Sequence, residues 1–155
     1  RQTSADWCTA MGATHTIDYR NGLREPMKGL GIEQVDAILL AQEPDAYWSD
    51  VCELVAPLGG IVTIVDARGP LDVTPLKPKS ARFAWEFMFT RALFGVDMER
   101  QGGILRATAR LMEEGVLQTT LSESLGPINA ANLKEAHRRI ESGKTIGKLV
   151  LAGWE

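Results

Sequence analysis

The sequence predicts an α/β fold: a parallel β-sheet covered by helices. Two stretches, VDAILLA at 35–41 and IVTIVD at 61–66, are unbroken apolar runs rich in Ile, Val and Leu. Strands buried on both faces read this way, and such strands belong to parallel sheets. Helical segments of about ten residues alternate with them, a length suited to crossovers. The bulk composition agrees, since 155 residues with 45% apolar and 24% charged suffice for one domain with a core.

Taken in order, the chain predicts a helix over Ser4–Met11, stopped by Gly12-Ala13, and a short strand over Thr14–Tyr19. A short helix around Arg24–Leu30 leads to the strand Val35–Ala41. A helix over Ala46–Val55 ends at APLGG, before the strand Ile61–Asp66. Gly59-Gly60 reads foremost as a helix C-cap followed by a tight turn. Close approach of a cofactor to the backbone is the alternative reading.

ARGPLDVTPLKPK at 67–79 holds three prolines and reads as loop. In RFAWEFMF, Phe83, Trp85, Phe87 and Phe89 recur with period two. This predicts a strand over Ser80–Phe89, either facing the core or lying at an edge and pairing with its copy in a second subunit. A helix over Gly102–Glu114 places Ile104, Leu105, Ala109, Leu111 and Met112 on an apolar stripe. A last helix over Ala131–Ser142 turns Leu133, Ala136, His137 and Ile140 inward. Gly143 caps it, and the strand Lys148–Leu151 comes after.

The remaining observations narrow function. A net charge of −3 gives no basic surface for nucleic acid. No apolar run reaches the roughly 18 residues of a membrane span, and the first residues do not read as a signal peptide. Cys8 and Cys52 lie on separate predicted helices and read as reduced thiols, which fits a cytoplasmic protein. His15 and His137 are far apart and no Cys-x-x-Cys occurs, so no metal site is expected. No Ser-His-Asp or Cys-His constellation supports hydrolysis.

Several stretches together resemble the cofactor-binding domain of the medium-chain dehydrogenase/reductase family, in its quinone-oxidoreductase and zinc-type alcohol-dehydrogenase-like branch. MGATHTIDY is similar to that family's Gly-Ala-x-x-x-Ile-x-Tyr run, and VDAILLA with LVAPLGGIVTIV to its fourth strand, next helix and fifth strand. LGPINAANLKEAHRRIESGKTIGKLVL is similar to its closing segment. The resemblance covers essentially the whole chain. It implies a Rossmann-like sheet truncated at its N-terminus, with the first βαβ unit and the catalytic domain outside these residues. All of 1–155 would then be a partial NAD(P)-binding domain. No Gly-x-Gly-x-x-Gly is present, which implies weak binding of NADPH, no better than millimolar.

The resemblance places Arg1 at the tip of the second strand. A cation there favours the 2′-phosphate of NADP, whereas a carboxylate favours the ribose hydroxyl of NAD. Arg1 with Thr3 and Ser4 therefore favours NADP, with NAD second. Tyr19 would lie beside them. Ala41 and Gln42, and Ile64, Val65 and Asp66, come just after strands whose C-terminal ends flank the cofactor in such sheets. Asp66 fits poorly beside a pyrophosphate. The resemblance further implies that Phe89 and Thr90 approach the carboxamide of the nicotinamide, that Lys148 approaches the cofactor, and that Ser80–Phe89 joins a homodimer near Phe83, Trp85 and Phe87. The function so implied is the cofactor-binding part of an NADPH-dependent oxidoreductase, acting on a small carbonyl, quinone, alkene or alcohol held by another domain. A non-enzymatic Rossmann-like association module is the alternative.

Overall fold

In the computed structural model, which describes residues 1–154, the chain forms two units. One is Ile17–Met98; the other joins Arg1–Thr16 to the segment from Glu99 onward.

The unit Ile17–Met98 is built on a three-stranded parallel sheet. Its elements are helix α2 (Arg24–Gly29), strand β1 (Val35–Leu40), helix α3 (Pro44–Leu54), strand β2 (Val55–Thr63), strand β3 (Arg82–Trp85) and the short helix α4 (Thr90–Phe94). The order is β1-β2-β3. Leu40 pairs with Thr63, which pairs with Trp85, and Ile38 pairs with Ile61, which pairs with Phe83. One sheet face meets α3. Trp48, Val51, Cys52 and Val55, at the helical spacing i, i+3, i+4 and i+7, are buried with Leu40, Ile61 and Leu76. Burying each large aliphatic side chain contributes about 1.5–3 kcal/mol. The Trp48 indole stands edge-on to Phe83 with centroids 5.3 Å apart, and its Nε1 donates to the Asp72 carbonyl at 2.7 Å.

The α3–β2 junction differs from the predicted cap and turn. Helix passes into strand at once, and β2 begins at Val55 rather than Ile61. Gly59-Gly60 therefore lies inside the strand. The ladder is interrupted, because Val35 pairs with Val55 and Ala37 already with Gly60. The extra β2 residues form a bulge in which Gly59 is buried while Leu58 takes φ 67 with 71% of its surface exposed. Gly59 is fixed by space rather than by φ. A Cβ there would stand 2.8 Å from the carbonyl oxygens of both Ala56 and Asp36. Lys79 closes the C-terminal end of α3: its Nζ donates to the carbonyls of Cys52, Glu53 and Val55 at 3.1, 2.6 and 2.7 Å.

Two further expectations are corrected by the backbone. Residues 14–18 form no strand. Thr and Ile favour extended backbone, but a strand needs a ladder partner, and the backbone instead enters a 3₁₀ turn at Tyr19–Asn21, where the Asp18 carboxylate accepts from the Arg20 N–H at 3.2 Å. The predicted strand Ser80–Phe89 is regular only over Arg82–Trp85. Its Phe83 packs on the core, while Trp85, Phe87 and Phe89 are exposed.

The other unit contains α1 (Gln2–Ala10), α5 (Glu99–Glu113), β4 (Leu121–Ser124), α6 (Ala130–Glu141) and β5 (Lys148–Val150). β4 and β5 pair in parallel. β4 was not expected, because LSES lacks an apolar alternation and all four residues are exposed. Gly147 has φ 73, and a Cβ there would lie 2.8 Å from the Thr120 carbonyl oxygen and 2.9 Å from the Trp7 ring. α6 is capped by Asn129, whose side chain accepts from the Asn132 N–H at 2.9 Å. Glu135 bonds both Arg138 and Arg139, and Arg139 reaches Glu123 on β4 at 2.7 Å.

The α6 face corrects the sequence reading, and the apolar stripe of α5 is largely exposed. Ile104, Leu105 and Met112 are exposed on α5, and Leu133 and Ile140 on α6. Periodicity reports which face a helix offers, not whether anything covers it. Ala136 is buried as expected. One residue on, the helix has turned His137 outward toward Glu141, 4.0 Å away. Gly102-Gly103 lies within α5 and does not open it.

Candidate functional site

Because β1, β2 and β3 run parallel, their C-terminal ends share one edge of the sheet. Open α/β sheets place ligands at that edge. The exits are tied together by backbone bonds. The Ile64 N–H donates to the Leu40 carbonyl at 3.2 Å, and the Glu86 N–H to the Thr63 carbonyl at 2.9 Å. Ala41 and Gln42 thus lie beside Ile64 and Val65, with the β3 exit next in line. Ala41, Gln42, Ile64 and Asp66 are exposed and Val65 is half-buried.

The turn from β1 into α3 is tight. Glu43 holds φ 44 and ψ 61, a left-handed conformation that a side chain adopts at a cost. Buried Pro44, at the first helical position, is locked at a helical φ by its ring and starts α3 there. Asp45 then reaches out of the first turn of α3. Its carboxylate accepts from the Arg68 N–H at 2.9 Å and from the Gly69 N–H at 3.1 Å. These backbone donors, Arg68 foremost, hold the Asp45 carboxyl below its ordinary pKa. The Arg68 guanidinium stands 3.9 Å from Glu43, in an exposed pair that contributes little.

Thr63 closes the inner side of the same edge. It is fully buried, and its Oγ1 lies 3.3 Å from the Leu40 carbonyl and 3.1 Å from that of Val65. Neither Thr63 nor Asp45 was singled out from sequence. The available signals were a lone hydroxyl inside the run IVTIV and a carboxylate just after the proline of EPDAYW.

The other sequence-derived residues fall in both units. Tyr19 opens its 3₁₀ turn and stands edge-on to Tyr47 at 5.9 Å. Phe89 precedes α4 and contacts Phe87 edge-on at 5.5 Å, and the Thr90 N–H donates to the Phe87 carbonyl at 3.0 Å. Arg1, Thr3, Ser4 and Lys148 belong to the other unit and all are exposed. Arg1 is the N-cap of α1 through its backbone, its carbonyl accepting from the Ser4 N–H at 3.1 Å. Lys148 opens β5.

The donor chemistry at the strand exits suits neutral groups. Small and apolar residues stand beside backbone N–H and C=O groups there, and Gln42 brings an amide. Glu43, Asp45 and Asp66 make the same edge acidic, which disfavours a pyrophosphate. By their chemistry these residues, with one guanidinium (Arg68) against three carboxylates, suit a sugar or a nicotinamide ring better than a phosphate.

A parallel sheet with helical crossovers and an open carboxyl edge is a Rossmann-like α/β arrangement. The sequence profile of the zinc-binding dehydrogenases matches residues 11–151, and the chain belongs to that family. A zinc-type alcohol dehydrogenase-like protein of Staphylococcus aureus is 35% identical over 152 residues, covering 97% of this chain and 45% of that protein. A Rhizobium etli crystal structure, provisionally assigned as a zinc-dependent alcohol dehydrogenase, superposes with a TM-score of 0.88 at 37% identity. It covers 100% of this chain and 45% of that one. An NAD-dependent alcohol dehydrogenase shares the fold, with a TM-score of 0.69 at 22% identity over 97% of this chain and 41% of its own. The chain thus spans a little under half the length of these relatives.

The family name implies zinc, but these residues do not fit it. Among the described residues no three His, Cys, Asp or Glu side chains are grouped to hold a metal ion. No helix among them is long and apolar enough to cross a membrane.

Proposed function

We propose that this chain is the cofactor-binding part of an NADPH-dependent oxidoreductase. The observation that carries the reading is the open carboxyl edge of β1, β2 and β3 in a chain of the zinc-binding dehydrogenase family. The bound cofactor would supply hydride transfer to or from a carbonyl, quinone, alkene or alcohol, and the protein would supply placement. Ala41, Gln42, Ile64 and Val65 would face the ribose and nicotinamide through backbone groups and small side chains. Asp66 would face ribose hydroxyls or water, since its charge opposes a phosphate. Phe89 and Thr90 would approach the carboxamide and Lys148 the cofactor. Arg1, Thr3, Ser4 and Tyr19 would meet the adenosine 2′-phosphate, for which a guanidinium fork is suited. The whole of 1–155 would then serve as one part of an NAD(P)-binding domain. We further propose a homodimer through Ser80–Phe89, supported by the place of β3 at the sheet edge and by exposed Trp85 and Phe87.

Saturation-transfer NMR with NADPH and NADH separately tests the cofactor. The expected result is weak binding, in the millimolar range, with NADPH preferred and the preference erased by Arg1→Ala. No transfer from the protein to either nucleotide overturns the reading, and a preference for NADH overturns the NADP assignment.

A further inference from the structure

We propose that Thr63 and Asp45 are positioning residues of the cofactor edge, pinning the two ends of segment 64–69 so that Ile64 and Val65 keep a fixed place opposite Ala41 and Gln42. The inference rests on the cofactor reading above and adds the residues that shape the site without touching the ligand.

Thr63 fixes the near end. A buried hydroxyl is costly unless it is bonded, and the neighbouring positions of β2 are satisfied by Ile61 and Val62. At position 63 the side chain is fully buried, yet it carries a hydroxyl. That hydroxyl lies between the last carbonyl of β1, Leu40 at 3.3 Å, and Val65, whose carbonyl stands 3.1 Å away and whose N–H donates to the hydroxyl oxygen at 3.4 Å; its single proton goes to one carbonyl while the oxygen accepts from the amide. It therefore couples the exit of one strand to the backbone just beyond the other.

Asp45 fixes the far end. Its two oxygens take the Arg68 and Gly69 N–H groups at 2.9–3.1 Å, as charge-assisted bonds. One helical turn on, the Trp48 indole holds the Asp72 carbonyl, so the loop is laid along the first half of α3. The two ties are independent: one lies inside the sheet, the other on the surface.

The test compares Thr63→Val, Thr63→Ser, Asp45→Ala and the parent chain. NADPH affinity is read by saturation-transfer NMR, and amide hydrogen exchange is followed at Val65, Arg68 and Gly69. Thr63→Val and Asp45→Ala are each expected to weaken NADPH by about tenfold, the loss of one or two such bonds. They should also speed exchange at the tied amides. Thr63→Ser keeps the hydroxyl and should restore affinity. A purely structural role would lower the melting temperature and leave affinity untouched in the folded protein. If Thr63→Val does not fold, the surface variant Asp45→Ala decides. Parent-like affinity in the variants, with the amide protection lost, overturns this inference alone. Absence of NADPH binding by the parent chain overturns the cofactor reading and this inference with it.

Discussion

Adjacent glycines on β2 give a sharp test of the fold. At Gly59 an added methyl would stand 2.8 Å from two backbone oxygens, those of Ala56 and Asp36, and 2.9 Å from Cγ2 of Val55. Ordinary contact begins near 3.4 Å, so the methyl is about half an ångström too close on three sides. Two of those atoms are backbone and the third belongs to a fully buried valine, so no flexible side chain can swing away. Overpacking of this kind costs about 1–3 kcal/mol. Gly60, one residue on, has nothing within 4 Å of its would-be Cβ, and neither glycine has a positive φ. Gly60→Ala should therefore stabilise slightly, by about 0.4–1 kcal/mol, through the unfolded chain. Thermal unfolding followed by tryptophan fluorescence reads the difference, with Trp48 and Trp85 in the same unit. Gly59→Ala should lower the melting temperature by roughly 2–12 °C, while Gly60→Ala leaves it level or raises it. Equal melting of the two variants would refute the packing argument at the bulge.

Two further outcomes are expected. Arg138 and Arg139 hold the Glu135 carboxyl at about 2, below its ordinary 4.5. Its stabilising contribution is thus complete above about 4.5 and is lost as the pH falls toward 2. Melting followed by circular dichroism at pH 6 and pH 3 should show a smaller acid loss for Glu135→Gln than for the parent, and an identical loss would contradict the assignment. The proposed dimer predicts twice the chain mass by light scattering and a monomer mass for Trp85→Glu; a parent that stays monomeric at high concentration removes the proposal.

The sheet was legible because its strands are apolar runs with few alternative conformations: Val35–Leu40 was found within one residue. What escaped the sequence depends on neighbours. Residues 14–18 have the composition of a strand but no partner beside them, whereas Leu121–Ser124 is polar and becomes a strand because Lys148–Val150 lies alongside. APLGG carries turn residues, yet the chain enters β2 at Val55 because the bulge absorbs them. The candidate site was half readable. The rule that ligands meet the carboxyl ends of parallel strands picks out Ala41, Gln42 and Ile64–Asp66, which stand just past β1 and β2. Asp45 and Thr63 act through hydrogen bonds to residues two to twenty-four positions away, which spacing along the sequence does not reveal.

The three carbonyls gathered around Lys79 converge on a single nitrogen. A tetrahedral ammonium can aim one proton at each; a flat guanidinium spreads its protons over a plane and cannot. At this position the exchange usually regarded as harmless, lysine for arginine, would preserve the charge and still let the end of the helix fray.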